Sequence, residues 1–166
     1  MTVASKTSSA ATPAVRVLNL AGIDYSLRSF DHDPATRRYG SEAADKLGVS
    51  SDQVFKTLMI QVDGQPVTAL VPVSGQLDLK ALASARGAKK AQLSGVAETE
   101  RRTGYPVGGV SPFGQRHAVP VVVDRTALDH STVFVSAGRR GLEIELRPED
   151  LVMLTNAQVA KIAALD

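Results

Sequence analysis

The chain has 166 residues, 43% of them hydrophobic, enough for one domain with a sizeable core. Nineteen Lys and Arg stand against seventeen Asp and Glu, a net charge of +2 that is too near balance to mark a nucleic-acid binder by itself. The absence of cysteine excludes a disulfide framework, a thiolate metal centre and a protein thiol nucleophile, and no apolar run is long enough to span a bilayer.

The first residues, MTVASKTSSAATPA, are rich in Ser, Thr and Ala and lack the apolar centre of a signal peptide. Residues 1–13 are therefore expected to form a loosely ordered tail and residues 14–166 a single domain, in a cytoplasmic protein. Ala14 to Ala21 carries Val17, Leu18 and Ala21 at helical spacing and ends at Gly22. Tyr25 to Phe30 alternates as a strand does, and Asp31–Pro34 reads as a turn. Ser41 opens a short helix with Ala43, Ala44 and Leu47 on one side and Gly48 at its end. Ser50 and Gln53 have capping-box spacing, which predicts one further helical turn before Phe55.

Lys56 to Val62 is the first clear strand, Asp63–Gly64 a two-residue hairpin turn, and Val67 to Val73 the returning strand. Asp78 caps a helix through Leu79, Leu82 and Ala83, stopped by Gly87. Ser94 is expected to cap another that runs to Thr103, with Gly104 and Pro106 just beyond. Val119 to Asp124 is β-branched and reads as a buried strand. Thr132–Ser136 and Leu142–Arg147 pair around Ala137–Gly141, and Pro148, Glu149 and Asp150 start a last helix. Strands and helices mix without a βαβ rhythm, which defines an α+β fold.

Gly104 to Gly114, GYPVGGVSPFG, holds four glycines, two prolines and no charge in eleven residues. Such a segment is a loop of defined shape. Its amides could hold a small polar ligand, or it could serve only as a connector. Lys56 shares strand parity with Leu58, Ile60 and Val62, so it must snorkel out, pair, or line a cavity. Ser136, at a strand end, reads alone as a turn serine. Glu143 has the opposite parity to Leu142, Ile144 and Leu146, the pattern of a solvated strand face. His32, His117 and His130 lack metal-ligand spacing, and no serine elbow accompanies His32 and its flanking aspartates. The basic pairs Lys89–Lys90, Arg101–Arg102 and Arg139–Arg140 suit phosphate contacts or an ordinary solvated surface.

The GGVSPFG loop, VFKTL at Val54–Leu58 and VSAGRRGLEIEL at Val135–Leu146 together resemble the YbaK/EbsC family of aminoacyl-tRNA deacylases, freestanding relatives of the editing domain of bacterial prolyl-tRNA synthetases. The resemblance runs from about Val15 onward. It implies a mixed, barrel-like sheet flanked by helices. It assigns Lys56 of Phe55–Lys56–Thr57 as the key active-site residue. It gives the cradle for the aminoacyl group to Gly108, Gly109, Val110, Ser111 and Pro112. Ser136 and Glu143 become polar site residues, although relatives often carry Asp where this chain has the longer Glu143. Phe30 and Tyr39 resemble the aromatics that flank the pocket, and core packing explains them equally well.

The implied activity is cleavage of the ester in mischarged Cys-tRNA(Pro), or also Cys-tRNA(Cys), by hydrolysis or by lyase-type, substrate-assisted cleavage. Ala-tRNA(Pro) specificity and a non-catalytic tRNA- or synthetase-binding module are the alternatives. No cofactor and no metal are implied. The implied partners are mischarged tRNA(Pro) and prolyl-tRNA synthetase, with no membrane and no DNA.

Overall fold

A computed structural model describes residues 11–165. The expected tail falls mostly on residues 1–10, outside the described residues. Order begins ahead of residue 14. Thr12 caps α1 (Pro13–Ala21) by accepting from the Val15 amide at 3.2 Å, and its own hydroxyl donates to the Ala137 carbonyl. Gly22 ends that helix in the left-handed region, as its position predicts.

Ten strands lie in three sheets among the described residues. The largest has the order β5 (Ala91–Leu93), β2 (Phe55–Val62), β3 (Gln65–Pro72), β6 (Val121–Asp124), β9 (Gln158–Ala160). Its pairs β3–β6 and β6–β9 are parallel and the others antiparallel. The second sheet is antiparallel, β1 (Tyr25–Ser29), β8 (Leu142–Leu146), β7 (Val133–Arg139). The third pairs β4 (Gly75–Leu77) with β10 (Ala163–Leu165). The fold is the expected mixed α+β one, but the sheets do not close into a barrel. The two larger sheets meet at a parallel bridge between Val54 and Phe134.

The β2–β3 hairpin turns at Asp63 and Gly64, with φ of 47° and 81°, matching the left-handed geometry of a two-residue turn. The helices after α1 are α2 (Tyr39–Leu47), α3 (Leu79–Ala85), α4 (Val96–Thr103) and α5 (Pro148–Thr155). Two expectations fail locally. The Ser50–Gln53 segment is a turn, because the Gln53 side chain is drawn to the Thr132 carbonyl at 2.8 Å. Ser94 does not cap α4; Gly95 holds that position, and Ser94 faces a cavity.

One core packs α1, α5 and the β1–β8–β7 sheet against Tyr105, Val110 and Phe113 of the glycine-rich loop. A second fills the space between the five-stranded sheet and α3. A small third cluster joins Ala43 and Ala44 of α2 to Val54 and Phe134. The five-stranded sheet is tied to the start of β10 through β6, where the buried Asp124 accepts from the Ile162 and Ala163 amides at 2.8 Å each. No helix among the described residues is long and apolar enough to cross a membrane.

Candidate active site

β5 covers only Ile60–Val62 of β2, which leaves the first half of β2 to wall a cavity of about 590 Å³. Lys56, Thr57 and Met59 line it from this stretch. Tyr39 at the start of α2, Gly108 and Val110 of the loop, and Ser136 and Glu143 of the second sheet complete the polar and backbone walls. Leu93, Ser94 and Val96 close the side formed by β5 and α4. Thr57 Oγ1 is buried and has no hydrogen-bond partner among the described residues.

Glu143 is only 7% exposed, which corrects the solvated-face reading of β8. The strand parity itself holds: Leu142, Ile144 and Leu146 all belong to the main core, while Glu143 faces the other way. That other face meets the cavity, beside Ser136 on β7 and Arg28 on β1 in register. Burial pushes its carboxyl up to about 8, so it holds its proton at neutral pH. Ser136 is also buried, and its hydroxyl accepts from the Gly138 amide at 3.2 Å as a turn serine does.

The glycine-rich loop is held rigidly. The Tyr105 hydroxyl donates to the Phe113 carbonyl at 2.6 Å, and burial raises its pKa to about 12. Glu100 accepts from the Val107 amide at 2.9 Å, and the Gly109 amide donates to the Pro106 carbonyl at 2.8 Å. Gly108 has φ of 88°, and a Cβ there would lie 2.6 Å from the Tyr39 ring. A Cβ on Gly109 would lie 2.8 Å from the Arg139 backbone. These glycines are required by close approach as much as by conformation.

The sequence-predicted residues separate into two groups. Lys56, Thr57, Tyr39, Gly108, Val110, Ser136 and Glu143 are brought together around the cavity. Gly109, Ser111 and Pro112 stand behind it: Ser111 is fully buried, and its hydroxyl accepts from the Phe113 amide at 3.3 Å. Phe30 packs beside α2 with the Ala43–Phe134 cluster and is not part of the cavity wall. His32 forms no triad. Its Nδ1 pairs with the Glu42 carboxylate at 2.7 Å. Sequence reasoning missed Arg37 and Arg38, which line the mouth; an exposed Arg pair in a turn carries no periodic signal.

The profile of the aminoacyl-tRNA editing domain matches residues 33–154, and the chain belongs to that family. It is 37% identical over 164 residues, 96% of this chain and 97% of the relative, to EbsC of Enterococcus faecalis (strain ATCC 700802 / V583), whose name carries a provisional Cys-tRNA(Pro)/Cys-tRNA(Cys) deacylase activity. It is 39% identical over 110 residues to a proline–tRNA ligase of Nitratidesulfovibrio vulgaris (strain DP4), 66% of this chain but 19% of that enzyme. A crystal structure described provisionally as a trans-editing enzyme for prolyl tRNA synthetase superposes with a TM-score of 0.78 at 26% identity, covering 93% of this chain and 98% of that one. The chain thus matches EbsC over nearly the whole length of both.

Proposed function

We propose that this editing domain deacylates mischarged tRNA in trans, with Cys-tRNA(Pro) as its main substrate and prolyl-tRNA synthetase as the enzyme whose errors it removes. A synthetase pocket cannot exclude every small amino acid by binding alone, and a second site that hydrolyses the wrong product restores accuracy. The single observation that carries the reading is the convergence of Lys56, Gly108 and Val110 of the loop, Ser136 and a protonated Glu143 on one cavity. The similarity to EbsC and to part of a proline–tRNA ligase supports the substrate class.

In this reading Lys56 positions the 3′-terminal nucleotide or the ester, and the loop amides receive the charge that develops on the ester oxygen. The protein has no cysteine to act as nucleophile. A cysteinyl ester brings its own thiol, two carbons from the reacting carbonyl, with the proximity advantage of an intramolecular reaction. Sulfur then bonds to the carbonyl carbon, the bond to the 3′ oxygen breaks, and the thiol proton is balanced by a proton delivered to that oxygen. Glu143 holds its proton at neutral pH and is suited to give one to the departing oxygen and recover one from the thiol. The cyclic thioester product hydrolyses in water.

A panel of Cys-, S-methyl-Cys-, Ser- and Ala-tRNA(Pro) tests this. Cleavage of the cysteinyl ester should be much the fastest, and Lys56→Ala should abolish it while circular dichroism stays native. Equal cleavage of the S-methyl ester would replace the thiol by a bound water. Preferred cleavage of the alanyl ester would reassign the specificity, and binding without cleavage of any ester would make the domain a capture module.

A further inference from the structure

We propose that Arg37, Arg38 and Arg140 form a collar at the cavity mouth that grips the phosphodiester groups of a single-stranded tRNA 3′ end, just before its terminal nucleotide. The proposal rests on the deacylase reading and names how the polynucleotide part of that substrate is held.

Arg37 and Arg38 are exposed and line the cavity mouth. The turn that carries them is fixed from behind. The Glu42 carboxylate accepts from the Asp33 amide at 2.7 Å and pairs with His32 at 2.7 Å and Lys46 at 3.1 Å. Arg37 Nη1 donates to the Pro34 and Thr36 carbonyls at 3.0 Å each, so its guanidinium is already oriented. Arg140 approaches from the β7–β8 turn. Its guanidinium lies 4.7 Å over the Tyr39 ring, and its Nε donates to the Val107 carbonyl at 2.9 Å. Tyr39 and Val107 both line the cavity, so these two anchors pin Arg140 at the rim. Its terminal nitrogens have no acceptor among the described residues.

Four other arginines are neutralised within the fold. Arg28, Arg101, Arg102 and Arg147 each sit against a carboxylate. None of the three collar arginines forms an ion pair among the described residues. Glu143 is the one acid among the cavity-lining residues, and it is buried. A mouth with three guanidinium forks outside any ion pair, two of them held by backbone carbonyls, and Lys56 further in selects a polyanion with spaced oxygen acceptors. A cavity of about 590 Å³ admits a nucleotide and its amino acid, not a duplex. The phosphates at its mouth are therefore those of an unpaired strand.

The test compares a 3′-O-cysteinyl nucleoside, which has no phosphodiester, with the cysteinyl ester of the trinucleotide CCA. The wild-type protein should prefer the trinucleotide ester. Arg38→Gln, Arg37→Gln and Arg140→Gln should each narrow that preference in kcat/KM by about tenfold, the worth of one charge-assisted hydrogen bond. Arg140→Lys should retain more of it. Removing one arginine from its phosphate should make the slope of log K against log salt shallower by about 0.7. An unchanged preference in all three variants, or none in the wild type, would overturn the collar. Binding of uncharged CCA is measured in parallel. If the wild type cleaves neither ester yet binds CCA through these arginines, the collar stands and the deacylase reading fails. If it cleaves both esters equally and does not bind CCA, the deacylase reading stands and the collar fails.

Discussion

Replacing Glu143 by Gln gives a neutral side chain of the same shape and removes only the proton equilibrium. Burial places that equilibrium near 8 in the folded protein, against an ordinary value of 4.5. Below pH 4.5 the carboxyl is protonated in both folded and unfolded chains, and pH has no leverage. Between 4.5 and about 8 the unfolded chain gives up the proton and the folded protein keeps it, so stability falls as pH rises. Above about 8 both states are ionised and the curve flattens. Each pH unit in the window weighs about 1.4 kcal/mol, so the full interval has a ceiling of about 5 kcal/mol. Relaxation of the surroundings around the carboxylate lowers this, and an effect of about 2 kcal/mol is the working expectation. Urea unfolding of both proteins at pH 5, 7 and 9 reads this directly. The gap in favour of Glu143→Gln should widen with pH up to about 8 and then level off. A gap that does not change with pH would show that Glu143 titrates like a solvated acid, and its role as a proton donor in the cavity would fall with it.

Gly108→Ala combines a φ of 88° with a methyl group 2.6 Å from the Tyr39 ring, and should cost about 1–3 kcal/mol and most of the deacylase activity. Gly104→Ala has a similar φ of 78° but meets only Arg116 at 3.6 Å; it should lose stability and keep activity, and equal activity in the two variants would refute the packing argument. Glu42 would be raised by burial, but bonds from the Asp33 amide, His32 and Lys46 hold it down to about 2. Its stabilisation is complete above pH 4.5 and is lost toward pH 2, so Glu42→Gln should be destabilised at pH 7 and nearly match the wild type near pH 2; a constant difference in urea unfolding would contradict this. Deacylation should survive EDTA, since no group of three or more metal-ligating side chains converges among the described residues; loss restored by added zinc would overturn that.

What could be read from the sequence was local. Gly22, Gly48 and Gly104 stop helices because each supplies the left-handed residue such an end requires. The Asp63–Gly64 turn and the parity of β8 followed from equally short-range rules. The strands β4, β5, β9 and β10 did not appear because each has three residues, too few for any period, and owes its existence to a distant partner. Glu143 shows the same limit from the other side. Parity fixed the face it occupies, but a cavity rather than water covers that face, and the cavity is made by β2, α2 and the loop.

The tolerances at this site come from three segments that meet at the cavity: the glycine-rich loop, the end of β7 with its turn, and the start of α2. Tyr105 lies so close to Gly138 that a Cβ there would be 2.6 Å from its ring, and its hydroxyl holds the Phe113 carbonyl at 2.6 Å. Gly109 rests on the Arg139 backbone, and Arg140 reaches back to Val107. Gly108 in turn lies against Tyr39. The glycine-rich loop, the β7–β8 turn and the start of α2 therefore fix one another by contact, each glycine marking a place where backbone or ring takes the room of a side chain. Mutual support of this kind holds a loop of eleven residues in one shape, which the proposed charge stabilisation by its amides requires. It also couples the mouth to the interior, because Arg140 stacks on Tyr39, which lines the cavity. A substitution at any of the three segments should consequently alter substrate placement well before it unfolds the protein.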